Sequence, residues 1–132
     1  MTASKNGQAI AEARIDECLR DTSGTINLVG LDLNGLDLKT VPESLNNLTS
    51  LTRLYLSRNR LTALPEWLSD LTRLTRLYLD DNRLTAVPES LGNLPALAEL
   101  GLYGNQLTAV PESLKHLDMD GMQKQVGRSS ES

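Results

Sequence analysis

Apolar residues recur along the chain with one fixed set of spacings, and the set repeats every 23 residues. Three successive copies place them at Leu51, Leu54, Leu56, Leu61, Leu64, Leu68 and Leu71, at Leu74, Leu77, Leu79, Leu84, Val87, Leu91 and Leu94, and at Leu97, Leu100, Leu102, Leu107, Val110, Leu114 and Leu117. A fixed period of roughly 20–29 residues is typical of a solenoid of stacked repeats rather than of a globular domain.

Aligned on these leucines, the chain divides into four consecutive units without insertions: 28–50, 51–73, 74–96 and 97–119. Residues 1–27 precede the units as a polar leader and a capping segment. Residues 120–132 follow as a polar tail, which we expect to be disordered because it has few apolar residues to bury.

Each unit predicts a strand, a turn and a short helix. Leu54 and Leu56 are two residues apart, so in a strand they share one face and Tyr55 takes the other. Stacked units would place such strands side by side in a parallel sheet. A Pro-Glu pair follows in every unit; proline suits the first position of a helical turn, and glutamate suits its positive end. The alternative for these pairs is an acidic stripe that binds a ligand, and we favour the structural role.

The pattern L-x-x-L-x-L-x-x-N-x-L-x-x-L-P-x-x-L, from Leu28 to Leu117, resembles the leucine-rich repeat family, in particular its 23-residue LPxxL-type bacterial and intracellular repeats. The resemblance implies an α/β fold: a right-handed solenoid with a parallel sheet on the concave face and short helical turns on the convex face. It also implies a solenoid that recognises a partner, while any chemistry resides in other domains.

The two ends of the solenoid differ. Residues 8–20 carry apolar side chains at roughly helical spacing, followed by the turn cluster "DTSGT", which predicts a capping helix over the first unit. The C-terminal end has no obvious cap, since Met119, Met122 and Val126 are its only large apolar residues. We therefore expect the last unit to expose part of its leucine face and to form a homodimer through this end.

An asparagine recurs where the chain leaves each of the last three strands, at Asn59, Asn82 and Asn105. A buried amide there can bond backbone groups of its own coil and of the neighbouring coil, which predicts a structural ladder. Leu36 replaces the asparagine in the first unit. We expect Asn34, on the open face of that unit, to contribute almost nothing to stability.

The side chains that alternate with the buried leucines predict a protein-binding surface on the concave face. All three tyrosines fall there, interleaved with arginines, and both residue types are enriched at binding hot spots. The candidates are Arg53, Tyr55, Arg58, Arg76, Tyr78, Asp80, Glu99 and Tyr103. The alternative is that duplication copied one accidental Arg-Tyr pair, with tyrosine serving only as a good strand former. For Trp67, on the helical side, we favour packing over neighbouring coils to a second binding contact.

Composition and motifs argue against other classes of function. The net charge of −4 disfavours binding to duplex DNA. Cys18 is the only cysteine and stands far along the solenoid from His116, so the sequence predicts no disulfide, no catalytic pair and no cysteine metal site. Neither a nucleotide-binding motif nor a calcium loop is present, and "DMDG" has too few oxygen ligands. We expect no cofactor and no metal.

No apolar stretch has the length of a signal peptide or of a membrane span. The sequence therefore favours a cytoplasmic protein that does not bind membranes, with export by a specialised secretion system as the alternative. The predicted function is a non-catalytic module that binds a protein partner. Two alternatives are the recognition part of an exported bacterial effector or larger multidomain protein, and a self-associating structural solenoid.

Overall fold

The computed structural model describes residues 3–20 and 30–114, with side chains from residue 7 onward. An α-helix, α1 (Ala3–Arg20), is followed by four short strands: β1 (Leu31–Asp32), β2 (Arg53–Tyr55), β3 (Arg76–Tyr78) and β4 (Glu99–Gly101). A 3-10 helix follows each strand, at Glu43–Asn47, Glu66–Asp70, Glu89–Asn93 and Glu112–Leu114. The predicted alternation of strand and short helix behind an N-terminal helix is confirmed.

The four strands form one parallel sheet in the order β1-β2-β3-β4. Residues 23 apart are register partners: Arg53 pairs with Arg76, and Tyr55 pairs with Tyr78. Equivalent residues of successive units therefore lie side by side, because each unit has the same length and adds one strand in the same direction. The predicted parallel sheet of stacked units is confirmed.

The helical segments differ in detail from the expectation. Pro65 has an extended backbone with ψ 149°, and the 3-10 helix begins at Glu66, so the proline is the N-cap residue and not the first helical residue. The N–H of Leu68 bonds to the carbonyl oxygen of Pro65 at 3.2 Å, closing the tight turn that suits so short a segment. Glu66 stands in the first turn, as expected from the helix dipole.

The core is one continuous cluster that runs through all four coils. The inward residues of β2 and β3, Leu54 and Leu77, are completely buried, as is Leu56, which follows β2 directly. The last unit does not show the exposed leucine face that we expected: Leu100, Leu102, Leu107 and Leu114 are 5%, 0%, 1% and 0% exposed. All four side chains belong to the core cluster. Met119, Met122, Val126, the tail 120–132 and the end of the fourth unit lie outside the described residues.

Helix α1 packs against the first coil, and it begins earlier than predicted, at Ala3 rather than Gln8. Its buried face is narrower than expected, since Ile10 and Leu19 remain 41% and 46% exposed. Ala11, Ile15 and Cys18 form that face, three or four residues apart.

Polar contacts and one close approach hold α1 in place. Arg14 Nη1 donates to the carbonyl oxygen of Asp32 at 2.6 Å. The hydroxyl of Ser44 donates to Glu12 at 2.7 Å. A Cβ on Gly7 would clash with the backbone oxygen of Leu36. Glycine therefore allows the helix to cover the coil in which leucine replaces the ladder asparagine.

Candidate functional site

The solvent-facing side of the sheet, which we call the outer face, carries the predicted binding residues. Along β2 and β3 the middle leucine is buried, while the arginine and tyrosine on either side of it are half-buried. The strand alternation thus turns Arg53 and Tyr55 away from the core. The outer face contains Arg53, Tyr55, Arg58, Arg76, Tyr78, Asp80, Glu99 and Tyr103.

Tyr55 and Tyr78 stack on each other. Their ring centroids are 5.2 Å apart, and the ring planes differ by 13°. The cause is their pairing in register on neighbouring parallel strands, whose spacing of roughly 4.8 Å suits stacked rings. Each ring limits the movement of the other, so the pair presents a preformed aromatic surface.

Tyr78 also takes part in a polar cluster with the next coil. Its hydroxyl donates to Glu99 Oε1 at 2.5 Å, and Arg76 Nε lies 3.7 Å from the same oxygen. Burial, and then the hydrogen bond to Glu99, raise the pKa of the Tyr78 hydroxyl above its usual value. These three side chains satisfy one another's polar groups.

Asp80 bonds within the protein. Its Oδ1 accepts a hydrogen bond from the backbone N–H of Tyr103 at 2.8 Å. Burial raises the pKa of the Asp80 carboxyl, and the bond from Tyr103 opposes that rise. A Cβ on Gly101 would lie 2.6 Å from Asp80 Oδ2, so the glycine makes room for the carboxylate.

Asn34, which we expected to contribute almost nothing to stability, makes the equivalent bond in the first coil. Its Oδ1 accepts from the backbone N–H of Ser57 at 2.7 Å. Asn34 and Asp80 are two units apart at the same repeat position, and each links its coil to the next. Sequence reasoning missed this link, although both residues carry an acceptor oxygen at the same repeat position.

The side chains of Arg53 and Arg58 have no ion pair or hydrogen bond with any described residue. Arg58 is exposed and holds a left-handed backbone conformation with φ 58°. Glycine fills the same repeat position in the first and fourth units, at Gly35 and Gly104. Tyr103, the third tyrosine, is 46% exposed and stands apart from the stacked pair.

The three repeated asparagines lie beneath the outer face, with 5–7% exposure. Asn82 Nδ2 donates to the carbonyl oxygens of Leu56 and Leu79 at 2.9 and 3.0 Å. Its Oδ1 accepts from the N–H of Leu61 at 3.0 Å. The amide thus bridges its own coil and the preceding one. Asn59 and Asn105 bond in the same way.

The rest of the described surface has few features that indicate catalysis or ligand binding. Trp67 is half-buried and packs against the core cluster, in the arrangement that we favoured. Within residues 3–20 and 30–114, no three His, Cys, Asp or Glu side chains come together as metal ligands. No helix in this part of the chain is long and apolar enough to cross a membrane. His116 and the "DMDG" segment lie outside the described residues.

Comparison with known proteins gives consistent matches to repeat proteins. A family profile described as "Leucine rich repeat" matches residues 26–84, 53–107 and 72–121. A leucine-rich-repeat protein of Leptospira interrogans is 37% identical with a TM-score of 0.58, and the match covers 61% of this chain and 21% of that one.

Two further solved structures come from bacterial effectors. The leucine-rich-repeat domain of a Shigella effector is 33% identical, with a TM-score of 0.61 and coverage of 78% of this chain and 41% of that one. The leucine-rich effector protein YopM from Yersinia pestis is 35% identical, with a TM-score of 0.61. The match covers 79% of this chain and 26% of that one. The chain thus spans less than half the length of each of these three structures. A comparison with curated protein sequences found no match.

Proposed function

Because this chain belongs to the leucine-rich repeat family, we propose that it is a non-catalytic module that binds another protein on the outer face of its sheet. In a solenoid of this family that side of the sheet is the concave one. The proposal follows the general role of such repeats as interaction modules, and the bacterial effectors among the similar structures agree with it.

The observation that carries the proposal is the stacked pair Tyr55 and Tyr78, on the solvent side of the sheet with Arg53 and Arg58 beside it. Aromatic rings offer a large contact area and a polar group at one end. Rings that are already ordered lose little conformational entropy when a partner binds. A preformed aromatic surface with adjacent guanidinium groups therefore suits recognition of a protein segment.

A double substitution tests this role. We expect Tyr55→Ala with Tyr78→Ala to weaken partner binding by roughly 2–4 kcal/mol, the usual range for hot-spot residues. The partner is first identified by affinity capture with the wild-type chain and mass spectrometry, and its affinity is then measured by titration calorimetry.

The matched control is Thr62→Ala with Thr85→Ala. These exposed threonines are also 23 residues apart in the second and third units, but they lie outside the strands. Circular dichroism must show native-like folding for both double variants. If the folded tyrosine variant binds the partner with unchanged affinity, the outer face is not the binding surface.

A second candidate function is favoured by the similar effectors of Shigella and Yersinia pestis, which are longer than this chain. In that case the chain is the recognition part of an exported effector or of a larger multidomain protein. The open reading frame around the coding sequence in the source genome tests this: a contiguous catalytic or secretion-directing region supports it, and a self-contained gene with neither contradicts it.

A further inference from the structure

The charged side chains of the outer face differ in whether they have an ion-pair or hydrogen-bond partner within the described part of the protein. In the third and fourth units Arg76 and Tyr78 both meet the Glu99 carboxylate, and Asp80 accepts from the backbone of Tyr103. In the second unit neither the Arg53 side chain nor the Arg58 side chain has a hydrogen bond or ion pair with a described residue. The second unit is therefore where the outer face offers positive charge that the protein does not neutralise itself.

The first coil has glycine at the two positions next to these arginines. Gly30 and Gly35 precede Arg53 and Arg58 by one unit, so the neighbouring coil has no side chain at either position. A Cβ on Gly30 would lie 2.9 Å from Arg53 Cβ and 3.2 Å from the Tyr55 ring. A Cβ on Gly35 would lie 3.9 Å from the guanidinium nitrogens of Arg58. Gly30 thus allows Arg53 and Tyr55 to pack closely against the first coil, and Gly35 places no side chain beside the Arg58 guanidinium group.

Two acidic residues stand near these arginines in the repeat: Asp81 occupies the position of Arg58 in the third unit, and its carboxylate lies against Gly104. Asp32 pairs in register with Tyr55. Its Oδ1 accepts from the backbone N–H of Asn34 at 3.0 Å. It forms no ion pair with Arg53 or Arg58. The Asp32 carboxylate is thus bonded to its own backbone and neutralises neither guanidinium group.

Building on the proposed function, we propose that the partner segment is acidic. One or more of its carboxylates pair with Arg53 and Arg58, and an adjacent aromatic or large apolar side chain lies against the stacked rings of Tyr55 and Tyr78. Guanidinium groups bind carboxylates through strong charge-assisted hydrogen bonds, often two at a time. A basic segment would instead meet repulsion at the second unit, while Glu99 and Asp80 already have partners.

The test is a selection of random peptides displayed on phage against the immobilised full chain, followed by fluorescence anisotropy with the selected peptides made synthetically. We expect enrichment of Asp or Glu next to Trp, Tyr, Phe or Leu. Arg53→Ala and Arg58→Gly should each weaken binding by about tenfold or more, since a charge-assisted bond is lost. Affinity should also fall as salt is raised, because the contact is ionic.

Glycine is the substitution at residue 58 because φ there is 58°, a conformation that glycine adopts without strain. The control is Lys39→Ala with Arg73→Ala, which removes the same two positive charges from exposed sites outside the strands. This control should bind like the wild type at equal salt concentration.

The outcomes separate the inference from the proposed function. Peptides that lose binding with Tyr55→Ala and Tyr78→Ala but show no acidic enrichment overturn the inference and leave the outer face as the binding surface. Peptides that tolerate both the tyrosine and the arginine substitutions contradict the proposed function as well. A selection that enriches no peptide overturns the inference.

Discussion

Single side chains of this repeat protein have roles that depend on the coil in which they stand. Asn34 and Asp80 occupy one repeat position, and each accepts a backbone hydrogen bond from the next coil. Asn34 accepts this bond with a neutral amide. Asp80 accepts it with a carboxylate that is half-buried and carries a charge at neutral pH. Burial raises the pKa of Asp80 for that reason. The same link is therefore made at a higher electrostatic cost in the third unit.

We predict that Asp80→Asn keeps this link and is at least as stable as the wild type at neutral pH, with a gain below about 1 kcal/mol. The pKa of Asp80 is raised above its ordinary value of 3.8, so ionisation disfavours the folded state. That penalty is complete above the folded-state pKa and vanishes as the pH falls to the unfolded-state pKa. The advantage of the variant should therefore shrink between neutral pH and about pH 4 in urea denaturation.

Asp80→Ala is the control for the asparagine substitution. It removes the acceptor for the N–H of Tyr103 and should cost about 1 kcal/mol. If Asp80→Asn were as destabilising as Asp80→Ala at neutral pH, the carboxylate itself would be stabilising and our account of its burial would be wrong.

At the scale of elements, the strands of two or three residues are too short to be stable alone, and each depends on its neighbours. The repeated asparagines connect coils beneath the sheet, where backbone groups have no access to water. Helix α1 covers the N-terminal coil, in which the ladder asparagine is replaced by leucine. Contacts between successive elements therefore decide stability, as in other solenoids.

We predict that Asn82→Ala lowers the free energy of unfolding by about 1–3 kcal/mol, because it leaves buried backbone groups of two coils unpaired. Asn34→Ala removes one bond from a half-buried site and should cost about 0.5–1.5 kcal/mol. Urea denaturation midpoints compare the two variants. Equal shifts would show that the buried ladder is no more important than the link on the outer face.

Because α1 approaches the first coil closely, we predict that Gly7→Ala lowers the free energy of unfolding, although glycine-to-alanine changes in helices usually raise it. In an isolated helix this change is favourable by about 0.8–1.0 kcal/mol. Here the added Cβ would meet the backbone oxygen of Leu36, so we expect a loss of about 1–3 kcal/mol instead. Ala13→Gly, at an exposed site of the same helix, measures the propensity effect alone. A stabilised Gly7→Ala variant in thermal denaturation would contradict the docking of α1.

For the whole molecule, the burial of the last unit's leucines bears on self-association. Leu100, Leu102, Leu107 and Leu114 have at most 5% exposure in the single chain, so they offer no apolar face for a dimer. We expect size-exclusion chromatography with light scattering to give the mass of one chain across a wide concentration range. A dimer that dissociates when a polar helix is appended to the C-terminus would instead support association through this end.

The repeat of leucines every 23 residues by itself determined the architecture. A strand alternates its side chains with period two, and identical units stack in only one register, so the sequence sufficed to place Tyr55 next to Tyr78 on the side away from the core. It also located the asparagine column, since an amide recurring at a strand end indicates a buried hydrogen-bonding position.

Tertiary structure alone decided which polar side chains satisfy one another. The 23-residue repeat already puts Glu99 beside Arg76, but only the structure shows that Glu99 accepts from the Tyr78 hydroxyl and also lies 3.7 Å from Arg76 Nε, while the Arg53 side chain pairs with no described residue. It also decided that Asn34 bonds the second coil and that the last leucines are buried. These outcomes depend on side-chain rotamers and on contacts between coils, and the spacing of apolar residues does not encode either of them.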